Sequence, residues 1–210
     1  MKLGVLALQG AFREHLETLD AIGVAGIPVR RVEDLAAVDA LVLPGGESTA
    51  IGRLLHTSGL LAPLAERVGS GLPVLATCAG LILLARRVED GRPDQVTVGA
   101  LDITVRRNGY GRQQASFEAP LTVSGLPGGP FPGVFIRAPR IESVGPAVEV
   151  LAVVDEDPVL IRQGGIWGAV FHPELSGDLR LHQAFLAAAA DRSSGTAYDP
   201  RAQNSRKGDA

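Results

Sequence analysis

Pro73-Val74-Leu75-Ala76-Thr77-Cys78-Ala79-Gly80-Leu81-Ile82-Leu83-Leu84 is the stretch that decides how the rest of the chain is read. An apolar run short enough for a buried strand ends in a turn of small residues, and a second apolar run follows at once. The only cysteine of the protein stands at that corner. A strand-to-helix elbow lifts a nucleophile clear of its backbone and leaves neighbouring N–H groups free. It also places sulfur near a helix N-terminus, where partial positive charge favours thiolate over thiol. A lone cysteine in apolar company is otherwise a small buried hydrophobe, so the case for chemistry rests on the remaining residues.

Working outward, strands and helices alternate on the N-terminal side of the elbow. Leu3 to Leu8 is a continuous apolar run, as expected of a strand covered on both faces. Phe12, Leu16, Leu19 and Ile22 then recur at helical spacing, and Gly23 stops that helix. Ile27 to Val32 and Asp39 to Leu43 read as the next two strands. The third strand ends at Pro44-Gly45-Gly46-Glu47-Ser48-Thr49, where Ser48 or Thr49 suits the N-cap of a following helix. A further helix, Leu60 to Val68, precedes the elbow strand, and the elbow helix is expected from about Gly80 to Arg87. This alternation implies crossover connections and a parallel sheet. After Glu89 short β-like runs follow at 98–105, 116–123, 134–137, 148–154, 159–162 and 166–171. Turn residues separate them, which predicts antiparallel or mixed strands. Leu179 to Ala190 reads as a closing helix, and residues 193–210 as a polar tail after a single domain of residues 1–192.

Composition narrows the function classes. The chain has 210 residues, 46% hydrophobic and 20% charged, which describes a folded globular protein. A net charge of −3 with no basic block gives no reason to expect nucleic acid or an anionic membrane as partner. No apolar stretch approaches the roughly 20 residues needed to span a bilayer. One cysteine cannot form an internal disulfide, so a reducing cytoplasm is the expected setting. One cysteine and scattered histidines offer no metal-ligand spacing, and no cofactor is expected.

Two further stretches could work with Cys78. In Phe171-His172-Pro173-Glu174 the proline favours extended geometry before it, and extended chain would project His172 and Glu174 from one side. That suits a base and its orienting carboxylate, although the same tetrapeptide also fits a strand end with a solvent-facing charge. His15 and His182 fall in helices and His56 near a helix end, which fits structural or solvated roles. Gly45-Gly46 could supply an oxyanion hole together with the N–H of Ala79, or be an ordinary turn. No Gly-Lys-Ser/Thr follows, so it is not a phosphate-binding loop. All three stretches end predicted strands on one rim of a parallel sheet, where ligands bind.

Taken with these segments, Gly4-Val5-Leu6-Ala7-Leu8-Gln9-Gly10, Pro44-Gly45-Gly46-Glu47-Ser48-Thr49, Thr77-Cys78-Ala79-Gly80, Phe135-Ile136-Arg137-Ala138-Pro139 and Phe171-His172-Pro173-Glu174-Leu175 resemble class I, triad-type glutamine amidotransferases. The likeness is closest to glutaminase subunits of pyridoxal 5′-phosphate synthase. One departure is Ala76, where such elbows commonly carry glycine. The resemblance implies an α/β three-layer sandwich with a mixed, mainly parallel central sheet and an antiparallel C-terminal extension. It implies hydrolysis of L-glutamine to glutamate and ammonia, with Cys78 as nucleophile, His172 as base and acid, and Glu174 orienting it. Gly46, Glu47 and Ser48 would line the glutamine pocket with Arg107, Ile136 and Arg137, and Gln9 would support the oxyanion region. It also implies a partner, a (β/α)8-barrel synthase subunit that consumes the ammonia and raises an otherwise low glutaminase activity. A γ-glutamyl peptide hydrolase of the same fold, and a silent module that regulates a partner, remain as alternatives.

Overall fold

The computed structural model describes residues 1–107, 109 and 116–193. The expected tail therefore lies outside the described residues, apart from Ser193. The elements follow in chain order as β1 (Leu3–Leu6), α1 (Phe12–Ala21), β2 (Gly26–Val29), α2 (Val32–Ala36), β3 (Ala40–Leu43), α3 (Ser48–Thr57) and α4 (Leu61–Gly69). The elbow is formed by β4 (Val74–Thr77) and α5 (Ala79–Leu84). Beyond it come β5 (Ala85–Val88), β6 (Leu101–Arg106), β7 (Ser116–Leu121), β8 (Phe131–Ile136) and β9 (Arg140–Val144). The chain then forms β10 (Glu149–Val154), β11 (Asp157–Gln163), β12 (Ile166–Ala169), a 3-10 turn at Pro173–Leu175 and α6 (Arg180–Ser193).

The central sheet runs β10-β11-β12-β4-β3-β1-β2. Its pairs from β12 to β2 are parallel, while β10 and β11 extend it antiparallel. Every residue of β1, β3, β4 and β12 is buried, as both faces of a parallel sheet require. Two smaller sheets, β5-β6-β9 and the β7-β8 hairpin, accompany it. This mixed, mainly parallel arrangement is the expected fold class. Ala76 is fully buried in register with Gly168 on one side and Leu43 on the other, so its methyl group fits the sheet.

The sheet carries β4 and β12 side by side, with Thr77 paired to Ala169. Their C-terminal ends therefore deliver Cys78 and His172 to the same rim. The β7-β8 hairpin caps that rim: the His172 N–H donates to Val134 O at 2.8 Å. Beneath it, Phe171 packs its ring against Phe131 and Phe135, with centroids 5.9 and 5.6 Å apart. Such aromatic pairs add about 0.5–1.5 kcal/mol beyond area burial, which makes this a stiff support.

Three local expectations give way to the structure. The elbow helix ends at Leu84 rather than Arg87, because residues 85–88 pair with β6 and tertiary pairing outweighs the helix propensity of arginine. Val32 opens the short helix α2 instead of ending a strand, with Asp34 Oδ2 accepting from the Arg30 and Arg31 N–H groups. The N-cap of α3 is Glu47, not Ser48 or Thr49; its carboxylate accepts from Thr49 N at 3.1 Å and Ala50 N at 2.7 Å.

Candidate active site

Cys78 turns the chain from β4 into α5 at φ 47° and ψ −104°. Positive φ strains a non-glycine residue through its Cβ and persists only where the surroundings hold it. Two bonds hold it here: the Cys78 N–H donates to Ala169 O at 2.8 Å, and its carbonyl accepts from Ile82 N at 3.3 Å. Sγ then stands 4.0 Å from Ile136 O. The Ala79 N–H heads α5 and, like that of Gly46, has no hydrogen-bond partner among the described residues.

His172 meets both partners. Its Nδ1 lies 2.7 Å from Glu174 Oε1, and its ring lines the same cleft as Cys78, near enough for the two groups to act on each other electrostatically. The route differs from the extended one expected: Pro173 opens the 3-10 turn, and that turn folds the Glu174 carboxylate back under the ring. Burial opposes charge on His172, but hydrogen bonds to Cys78 and Glu174 and their negative charge outweigh it and raise its pKa to about 10. Burial likewise pushes Glu174 up, while His15 and His172 pull it down further, so the net shift is downward.

The glycine loop is clamped against this group. Gly45 N–H donates to Thr77 Oγ1 at 3.0 Å, and Gly45 O accepts from Ala11 N at 2.9 Å. Gly10, at φ 97°, makes that approach possible, since a Cβ there would overlap Gly45 O. Gln9 Oε1 accepts from Glu47 N at 2.9 Å, which fastens the next peptide. A Cβ on Gly45 would overlap His172 Cε1 and fall 3.0 Å from Nδ1. Gly45→Ala is therefore expected to turn the imidazole off Glu174 and lower kcat/KM of the glutamine hydrolysis that the resemblance implies by about 10²-fold, the scale of a 1 Å misplacement. Steady-state assay beside a thermal melt checks this; a folded variant with unchanged kcat/KM would mean the ring swings freely.

A cleft of about 380 Å³ opens above the sulfur, lined by Gly46, Glu47, Ser48, Cys78, Ala79, Ile82, Arg107, Ile136, Arg137 and His172. All the residues expected to bind substrate lie on it, with Gln9 and Glu174 just behind. Arg107 donates to Glu47 Oε1 at 2.9 Å and to Thr49 Oγ1 at 3.3 Å, so it braces the cleft wall. Burial tends to raise the Glu47 pKa, but the Thr49 and Ala50 N–H groups and Arg107 lower it overall. Arg137, exposed at φ 45°, makes no hydrogen bond or ion pair among the described residues. Ser48 Oγ donates to Gln95 Oε1 at 3.1 Å.

Sequence reasoning missed two histidines beside this group. His15 and His182 are not solvated: both are buried, 3.0 Å apart, and His15 Nε2 lies 3.3 Å from Glu174 Oε2. No local pattern marks them, because α1 and α6 meet only in the fold. Among the described residues no group of His, Cys, Asp or Glu could hold a metal ion, and no helix is long and apolar enough to cross a membrane.

Comparison with known proteins places the chain in a family. The family model for SNO glutamine amidotransferases matches residues 5–191. The chain belongs to the SNO glutamine amidotransferase family. Within that family, the pyridoxal 5′-phosphate synthase subunit PdxT of Frankia alni is 55% identical over 194 residues, covering 92% of this chain and 98% of the relative. The PdxT of Dehalococcoides mccartyi is 50% identical over 192 residues, covering 91% and 98%. A crystal structure of a glutamine amidotransferase superposes with a TM-score of 0.86 at 48% identity, covering 90% of this chain and all of that one.

Proposed function

We propose that this amidotransferase hydrolyses glutamine with Cys78, His172 and Glu174, inside a glutaminase domain of residues 1–192. The chain is the glutaminase subunit of a pyridoxal 5′-phosphate synthase and supplies ammonia for vitamin B6 biosynthesis. What carries the triad reading is that Cys78 and His172 line one cleft at the rim of the sheet, with Glu174 2.7 Å behind the ring.

Sulfur attacks the side-chain amide carbon, and charge on the resulting oxyanion falls to the N–H groups of Ala79 and Gly46. His172 gives its proton to the amide nitrogen, the C–N bond breaks, and ammonia leaves a γ-glutamyl thioester. His172 then takes a proton from water, which attacks the thioester; the C–S bond breaks and glutamate departs. Free glutamine also carries an α-carboxylate and an α-ammonium group. Arg137 suits the first, since guanidinium forms fork-like pairs with carboxylate, and the half-exposed Glu47 carboxylate suits the second. Arg107 acts through Glu47.

The product must reach a synthase subunit before water protonates it, so a barrel-shaped partner in the same compartment, a reducing cytoplasm, completes the proposal. An electrophilic glutamine analogue tests it. One adduct on Cys78, with ammonia release from glutamine but not cleavage of γ-glutamyl peptides, is the expected result in the presence of the synthase subunit. Faster turnover of the peptides, or an adduct elsewhere, would reject the assignment.

A further inference from the structure

His15 on α1 and His182 on α6 come from opposite ends of the chain and bury their rings behind Glu174. His15 Nδ1 lies 3.0 Å from His182 Nε2. On its other side, His15 Nε2 lies 3.2 Å from Thr77 Oγ1 and 3.3 Å from Glu174 Oε2. The Thr77 contact has hydrogen-bond geometry, whereas Glu174 Oε2 is buried without a hydrogen-bond partner and meets His15 Nε2 as a close electrostatic approach.

The proton positions follow from what each atom can do. A carboxylate only accepts, so hydrogen belongs on His15 Nε2. Its Nδ1 is then a lone pair, which must accept from His182 Nε2–H. That leaves His182 Nδ1 as a lone pair, and this atom is buried without a partner. The opposite assignment would set lone pair against carboxylate and orphan a buried N–H, the rarer and costlier outcome. Burial, against the pull of Glu174 and Glu14 and together with the repulsion of His172, lowers the His15 pKa; it also lowers His182 to about 3. Both rings are therefore neutral at pH 7.

Building on the triad reading above, we infer that His15, backed by His182, is a positioning residue: its Nε2–H holds Glu174 Oε2 so that Oε1 stays on His172. Through Thr77 Oγ1, which accepts from the Gly45 N–H at 3.0 Å, the same histidine also steadies the glycine loop. His15→Leu removes the donor, whereas His15→Gln places an amide N–H where Nε2–H stood. Two readouts separate these variants: steady-state glutaminase with the synthase subunit, and the pH dependence of Cys78 alkylation by iodoacetamide on the chain alone.

His15→Leu is expected to lower kcat about tenfold or more, as loss of an outer partner does, with KM within about threefold. The half-maximal pH of alkylation should rise, because a loosened Glu174 supports the His172 imidazolium less. His15→Gln should recover most of both. Wild-type kcat and alkylation in His15→Leu, or equal impairment by Leu and Gln, would overturn the inference. If His15→Leu does not fold, His182→Phe is expected to move the alkylation profile in the same direction by less, and an unmoved profile overturns it. Alkylation needs no ammonia release, so a wild type that alkylates as described yet releases none counts against the proposed function alone.

Discussion

Cys78→Ala is expected to abolish synthesis from glutamine while synthesis from added ammonium salts continues unchanged. Without sulfur there is no thioester, and neither His172 nor the N–H groups of Gly46 and Ala79 can substitute for the missing bond. Loss of a nucleophile in a triad costs about 10⁶-fold in kcat, and residual catalysis from the other groups is far below any useful flux. The substitution removes only a thiol at a residue with 7% exposure, so the fold and any docking surface should survive. Its one structural cost is the positive φ, which alanine bears no better than cysteine. Coupled assays run in parallel with glutamine and with ammonium chloride read the result. Retained synthesis from glutamine would remove Cys78 from the reaction, and loss of both activities would reject the division of labour between subunits.

What could be read in advance was which residues gather at the rim rather than how they pack there. The elbow was legible because its signal is local: an apolar run, small residues and a second apolar run admit few geometries. Phe171-His172-Pro173-Glu174 was legible as a histidine paired with a carboxylate, but not the turn that joins them. Period-two reasoning brings the side chains together in an extended chain, whereas Pro173 instead opens a 3-10 turn that does so. Elements decided by tertiary pairing escaped: β5 takes two arginines out of a helix, and β9, Arg-Ile-Glu-Ser-Val, reads as polar until it pairs with β6. The five-residue α2 is too short for helical periodicity to register. His15 and His182 were beyond reach for a different reason. They are 167 residues apart, and only the way α1 and α6 pack places them together.

Glu174→Gln should show how much of the site depends on one buried charge. The expected loss in kcat is about 10²–10⁴-fold with KM little changed, the range for an orienting carboxylate in a nucleophile–histidine pair. Two effects add. Glutamine is neutral, so His172 loses one of the partners that raise its pKa, and the pH at half-maximal alkylation of Cys78 should increase. Glutamine is also a donor on one side. If its carbonyl keeps the Nδ1–H of His172, its NH₂ faces His15 Nε2, which must then give up its proton. That proton moves to His15 Nδ1, and His182 is left with a buried N–H at Nδ1, where no partner exists. If the amide turns the other way, it presents NH₂ to His172 and forces the ring into the wrong tautomer for taking a proton from sulfur. The first orientation leaves an unpaired buried donor, at about 1–3 kcal/mol, and the second removes the charge that supports a protonated His172, so Glu174→Gln should melt lower than wild type either way. In a Glu174→Gln, His15→Leu double variant the first conflict disappears, and the melting temperature should fall by less than the sum of the two single changes. Strict additivity would mean that His15 and Glu174 do not share the proton arrangement described above.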